Sequence, residues 1–125
     1  MKEYCVDLEI AKELEKYGFD KECLYKHRGK INPDRYELDM CALPGVYFQA
    51  PTADEILQEL PKFIEYDNGV YDKNIAILHI VLQRCEDNKS EYAIYYLDDN
   101  IFFETKLSNA LAKMYICLKK EGYIK

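Results

Sequence analysis

The sequence predicts a single α+β domain over residues 1–125, with an antiparallel sheet of about four strands packed against three helices, one N-terminal, one in the middle and one C-terminal. Three observations predict it. Apolar residues recur at helical spacing near both ends, and a capping box, Thr52-Ala53-Asp54-Glu55, opens a helix in the middle. Two β-rich runs, Ile75 to Gln83 and Tyr92 to Leu97, flank a short polar connection. Hydrophobic residues make up 49% of the chain, enough to offset the entropy lost in ordering the backbone, so composition excludes a disordered protein.

The first helix is expected from Asp7 to Tyr17. Leu8, Ala11, Leu14 and Tyr17, with Ile10 beside them, form one apolar stripe; Asp7 can cap the start and Gly18 supplies a left-handed exit before Phe19. Cys23-Leu24-Tyr25 reads as a short strand entering a charged loop, Lys26-His27-Arg28-Gly29-Lys30, with a turn at Asn32-Pro33-Asp34. Tyr36 to Leu43 is the returning strand of a loose hairpin, Pro44-Gly45 is a second turn, and Val46 to Gln49 is another strand.

In the capping box, Thr52 accepts from the Glu55 backbone N–H and the Glu55 side chain reaches back to Thr52, and Pro61 stops the helix after about two turns. Phe63, Ile64 and Tyr66 form a short apolar segment before the Asp67-Asn68-Gly69 turn. The runs from Ile75 to Gln83 and Tyr92 to Leu97 then pair as an antiparallel hairpin. Ala76, Leu78, Ile80 and Leu82 share one apolar face; Ile75, Ile77, His79, Val81 and Gln83 share a mixed one, and both faces are expected to be at least partly covered. Ile101-Phe102-Phe103 leads to the last helix, Thr105 to Glu121, in which Leu107, Ala110, Leu111, Met114, Tyr115 and Leu118 keep helical spacing and Gly122 provides the exit.

The start of the chain, Met1-Lys2-Glu3-Tyr4-Cys5, lacks the apolar run of a signal peptide, and no stretch is long and apolar enough to span a bilayer, so a cytoplasmic location without membrane contact is expected. Five cysteines, an odd number without an export signal, read as reduced and largely buried thiols. A net charge of −6 opposes general affinity for a phosphate backbone. The charge is uneven, with five basic against two acidic residues from Lys21 to Arg35, and twelve acidic against four basic from Ala53 to Glu104.

No reaction chemistry emerges from the motifs. Cys23 and His27 lie four apart, with Cys41 downstream, but zinc ligands come as close pairs and no second pair is present. Cys5, just before the first helix, is the one thiol with a helix dipole to help it, and neither His27 nor His79 can be placed beside a cysteine from sequence. The adjacent acids Asp54-Glu55, Glu86-Asp87 and Asp98-Asp99 fall at turns or a helix start, where capping and solvation account for them, and the five glycines form no phosphate loop. No cofactor or metal is therefore expected. The candidate binding residues are Lys26, His27, Arg28, Lys30 and Arg35, flanked by Tyr25 and Tyr36, which could hold a phosphate backbone or an acidic protein patch; as a short charge run they also read as a solvated loop. The mixed sheet face and the twelve tyrosines suit a partner or homodimer surface, or a face covered by a helix.

Leu8-Glu9-Ile10-Ala11-Lys12, Tyr17-Gly18-Phe19, Ala50-Pro51-Thr52-Ala53-Asp54-Glu55-Ile56-Leu57 ending at Leu60-Pro61, and Ser108-Asn109-Ala110-Leu111-Ala112 with Gly122-Tyr123-Ile124 together resemble a group of small proteins of unknown function encoded by bacterial phages and prophages. The likeness touches both termini and the middle helix and skips 23–46 and 62–90. Its motifs are capping and core patterns, so it implies a fold and a mobile-element setting, and it carries no site residue over. Proteins of that setting often act by binding host or phage machinery. The expected function is a non-enzymatic protein-binding module of a phage or prophage, with inhibition of a host defence system as one such role, and its partner a host or phage protein or a second copy. The alternatives are a nucleic-acid accessory protein using the 26–35 segment and a small enzyme assembled from dispersed residues.

Overall fold

The computed structural model describes residues 4–29, 36–39, 47–66, 74–84, 89–96 and 101–124; the turns expected at 32–34, 44–45 and 67–69 lie outside them. Helix α1 spans Leu8–Lys16 and buries Ala11 and Leu14 from its apolar stripe. Gly18, at φ 90°, ends it: its N–H reaches Glu15 O at 3.1 Å and the Phe19 N–H reaches Leu14 O at 2.9 Å, the paired bonds of a Schellman ending. Phe19 then meets the Tyr115 ring edge-on at 5.3 Å, which ties the exit of α1 to the C-terminal helix. Asp7 holds the capping position, but its carboxylate makes no bond to the α1 backbone.

The strand expected at Cys23 to Tyr25 begins later, and the segment read as a charged loop is itself a strand. Strand β1 covers Lys26–Gly29 and is the middle of a sheet ordered β2-β1-β3, with β2 Tyr36–Asp39 and β3 Tyr47–Gln49, all antiparallel. A polar sequence becomes a central strand here because two neighbours satisfy its backbone, and Ala50 N–H to Tyr25 O at 2.9 Å extends the pairing backwards. Nearby, Cys5 and Thr52 form an isolated antiparallel bridge, reinforced by Val6 N–H to Pro51 O at 3.1 Å.

Helix α2 is short, Ala53–Leu57, and its capping box is complete: Glu55 N donates to Thr52 Oγ1 at 3.4 Å and Thr52 N to Glu55 Oε1 at 2.9 Å. After Pro61 the apolar segment forms strand β4, Phe63–Tyr66, which pairs antiparallel with β5, Asn74–Ile77. The long strand expected from Ile75 to Gln83 is divided at Leu78, whose N–H turns to Lys62 O at 3.2 Å. Beyond it β6, His79–Arg84, changes partner and pairs with β7, Ser90–Tyr95, which also pairs with β8, Phe102–Glu104. The single sheet of about four strands is thus replaced by three antiparallel sheets of three, two and three strands among the described residues, because one run of chain serves two partners in succession. The α+β class and the three helices stand.

Helix α3, Leu107–Glu121, has nine of its fifteen residues buried, which makes it the hub of the core. It packs on α1, α2, β7 and β8. Leu111 and Met114 from α3, Leu14 from α1, Ile56 from α2 and Ile94 from β7 are fully buried together, and Ala110 and Ala112 let the elements approach closely. Gly122, at φ 84°, repeats the Schellman ending, with Tyr123 N–H to Leu118 O at 2.9 Å. Lys113 on α3 forms an ion pair with Glu104 at the end of β8.

Candidate functional site

The basic segment is built into the first sheet. Lys26 is only 3% exposed; its ammonium donates to Cys23 O at 2.9 Å, pairs with Glu22 Oε1 at 2.8 Å and lies 5.8 Å from the Tyr47 ring centre. That ammonium, first through its hydrogen bond and then through its charge, holds the Glu22 carboxyl below the usual carboxylate range. His27 points to the other side of β1, where Nε2 donates to Val6 O at 2.8 Å. Arg28 is half-buried, in register with Tyr47 on β3 and with Glu37 on β2. Lys30 and Arg35 lie outside the described residues. Lys26–Gly29 is therefore a strand with one ammonium turned inward, in place of the solvated loop that its composition suggests.

His27 also does what spacing could not foresee, since it shares a cleft of about 180 Å³ with Cys5, Asp7 and Lys106, under Val6 and Leu38. Thiol, imidazole, carboxylate and ammonium thus line one small space. A nucleophilic site would need a thiolate and a free base. Instead, burial and then the charge of Glu55 push the Cys5 thiol up. The Asp7 carboxylate is engaged by Lys106 Nζ at 2.6 Å and Asn109 Nδ2 at 2.9 Å, and the Lys106 hydrogen bond holds it below its ordinary value. Burial and Glu55 also push the Cys23 thiol up, to about 12. Among the described residues Cys5, Cys23 and Cys117 form no disulfide, and no cluster of three metal-binding side chains occurs. A second cavity, of about 410 Å³, lies between α1 and β3, with Leu14, Phe19 and Tyr47 in its walls and Glu15, Asp20 and Glu22 around it.

Among the described residues, an apolar row lies open on the outward side of β4–β5 and β6–β7–β8. In antiparallel pairs, residues in register project from the same face. Phe63 opposes Ile77 and Glu65 opposes Ile75; His79, Val81 and Gln83 continue the row, opposing Tyr95, Ala93 and Glu91, and Phe103 stands on the other side of Ala93. On this face Ile75 is 62% exposed, Ile77 56%, Phe103 50%, Phe63 49% and Val81 40%. His79 and Tyr95 stack with ring centres 4.8 Å apart and planes within 9°. Gln83 Nε2 donates to Glu91 Oε1 at 3.1 Å.

Both faces are partly covered at β7, where Ile94 and Ala93 are buried on opposite sides, and open along β6. Helix α3 packs on β7 and β8, while Ile80 and Leu82 on the opposite face of β6 also stay exposed, and β6 has no buried residue. Ala76 and Ile64 are buried on the inner side of the β4–β5 pair, whereas Phe63, Ile75 and Ile77 on the other side stay exposed. Sequence reasoning identified the mixed face by its alternation but had no signal for what lies above it.

Comparison with protein-family models, curated proteins and solved structures found no match for the chain. Among the described residues no helix is long and apolar enough to cross a membrane.

Proposed function

We propose that the chain is a non-enzymatic protein-binding module that acts through the uncovered face of β4 to β8. The observation that carries this reading is the row Phe63, Ile75, Ile77, Val81 and Phe103, five large apolar side chains exposed on the sides of two consecutive sheets, β4–β5 and β6–β7–β8, that are turned away from the core. Isolated apolar residues on a surface need no explanation, but a contiguous patch of several hundred Å² is the mark of an interaction site. The phage or prophage setting implied by the resemblance supplies the kind of partner, host or phage machinery, with a host defence component as one target class. The competing nucleic-acid reading needs the 26–35 segment to present its cations, and Lys26 would first have to leave Glu22 and Cys23 O.

The test is capture on the immobilised tagged chain from host lysate to which untagged chain has been added. Specific retention of any protein, the untagged copy included, is expected, with loss when Ile77→Lys and Val81→Glu are introduced together. Retention of nothing at any salt concentration would remove the reading.

A further inference from the structure

We infer that the occupant of this face is a second copy of the chain, packed sheet against sheet about a two-fold axis; the inference rests on the protein-binding reading above and names its partner. Three observations lead there.

The first is area. Five half-exposed side chains of this size leave about 400–500 Å² of apolar surface open. Tyr95, His79, Glu65 and Gln83 lie on the same face, and with them it approaches the ~800 Å² that each partner contributes to a standard interface. A patch of this extent matches a whole protein face and exceeds what a single inserted side chain or short peptide needs.

The second is shape. Neither of the two cavities described above is lined by a residue of the face. An extended peptide or a helix would seek a groove. A broad sheet seeks another sheet, whose side chains interdigitate across about 10 Å. The face offers relief for this: Ala93, 4% exposed, is the floor between Val81 and Phe103, so projections and a depression alternate on one surface, as a self-complementary interface requires.

The third is charge. The chain carries a net charge of −6, yet among the described residues the outward positions of strands β4 to β8 hold only Glu65 and Glu91 as acids, the latter bonded to Gln83, and no Lys or Arg. Two copies meeting here keep most of their like charges apart, and the face offers no cationic or strongly anionic group to select a charged partner. The adjoining strand β6, His-Ile-Val-Leu-Gln-Arg, has one neighbour among the described residues and a single permanent charge, Arg84, at its end. Natural edge strands left open to solvent are guarded by lysine, proline or inward charge. This one is built to be covered.

The experiment is sedimentation equilibrium on the purified chain from sub-micromolar to about 100 µM, in low and high salt. A mass of twice the monomer is expected, with tighter association as salt screens the acidic surplus. Ile77→Lys with Val81→Glu should weaken association at least tenfold, whereas Leu24→Lys, at an exposed apolar position off the face, should leave it unchanged. Hydrogen exchange of the wild-type chain gives a second reading that does not depend on variants folding: the amides of β4 to β7 should exchange faster on dilution below the dissociation constant. A wild-type chain that stays monomeric at 100 µM overturns the inference, and so does a dimer indifferent to the paired substitutions. A monomer that still retains a lysate protein through Ile77 and Val81 leaves the binding reading intact with a different partner, while a monomer that retains nothing removes both.

Discussion

Asp7 and Asn109 hold each other reciprocally across 102 positions of sequence: the Asp7 backbone N–H donates to Asn109 Oδ1 at 3.0 Å, and Asn109 Nδ2 donates to Asp7 Oδ2 at 2.9 Å. The pair locks the start of α1 to the first turn of α3, with Lys106 Nζ on the second carboxylate oxygen. Asn109 is buried, so truncating it strands a donor and an acceptor. Asn109→Ala is predicted to lower stability by about 1–3 kcal/mol, read from the urea midpoint. An unchanged midpoint would show that the bond contributes nothing.

The same contact sets an acid limb. Lys106, by its hydrogen bond first, lowers the Asp7 pKa from 3.8 in the folded chain. A carboxylate with a depressed folded pKa stabilises the fold above its unfolded value, and that contribution is lost as pH falls through the folded value. Stability should therefore decline below about pH 4 in part through Asp7, given the ordinary aspartate range. Asp7→Asn should make the thermal midpoint less sensitive to pH in that window, and an identical acid profile for the variant would contradict the assignment.

Glu55 has two duties where Thr52 has one. Beyond the capping box, its Oε2 accepts from the Leu24 N–H at 3.1 Å, joining the approach to β1 to α2. Thr52→Ala is predicted to cost about 1 kcal/mol, the usual loss for an N-cap. Glu55→Ala should cost more than Thr52→Ala, because it also frees the Leu24 amide. Equal midpoints for the two variants would show the Leu24 bond to be idle.

Helix ends and the capping box were legible because they are local: Gly18, Gly122 and Thr52-x-x-Glu55 carry their geometry within a few residues. What was not legible depends on distant partners. Lys26-His27-Arg28 has the composition of a loop, and only its neighbours on both sides make it a strand. Leu78 sits in an apolar run interrupted by His79, and neither neighbour marks the change of partner from β4 to β7. His27 comes to Cys5 only because β1 runs beneath Val6. The mixed face was readable from alternation; its openness was not, since it follows from where α3 lands.

The meeting of Cys5 with His27 makes thiol reactivity a direct check on the non-enzymatic reading. Cys5 and Cys23 are both buried, and burial with the nearby Glu55 charge raises both thiols, Cys23 to about 12. Native-state alkylation with iodoacetamide at pH 7.5, mapped by mass spectrometry, should leave these two at least tenfold slower than in the denatured chain, since the thiolate is the nucleophile. Rapid labelling of Cys5 under native conditions would instead indicate an activated thiol and return the small-enzyme alternative to the front.

Lys26 separates a structural cation from a recognising one. Its ammonium is enclosed by Cys23 O, Glu22 and the Tyr47 ring, while its stem fills space beneath them. Lys26→Ala should destabilise the chain by about 1–3 kcal/mol through the lost packing and the orphaned carbonyl. Lys26→Met, which keeps the stem, should recover part of that loss. Neither change should alter retention on DNA–cellulose at low salt, because a phosphate contact requires a cation turned outward. Arg28→Glu is the complementary variant: if the wild-type chain binds DNA and this change abolishes it, the basic strand is a nucleic-acid surface and the apolar face is not the whole of the function. A drop in DNA retention for Lys26→Met at unchanged stability would mean that the buried ammonium turns outward on binding, against the geometry that seats it on Glu22.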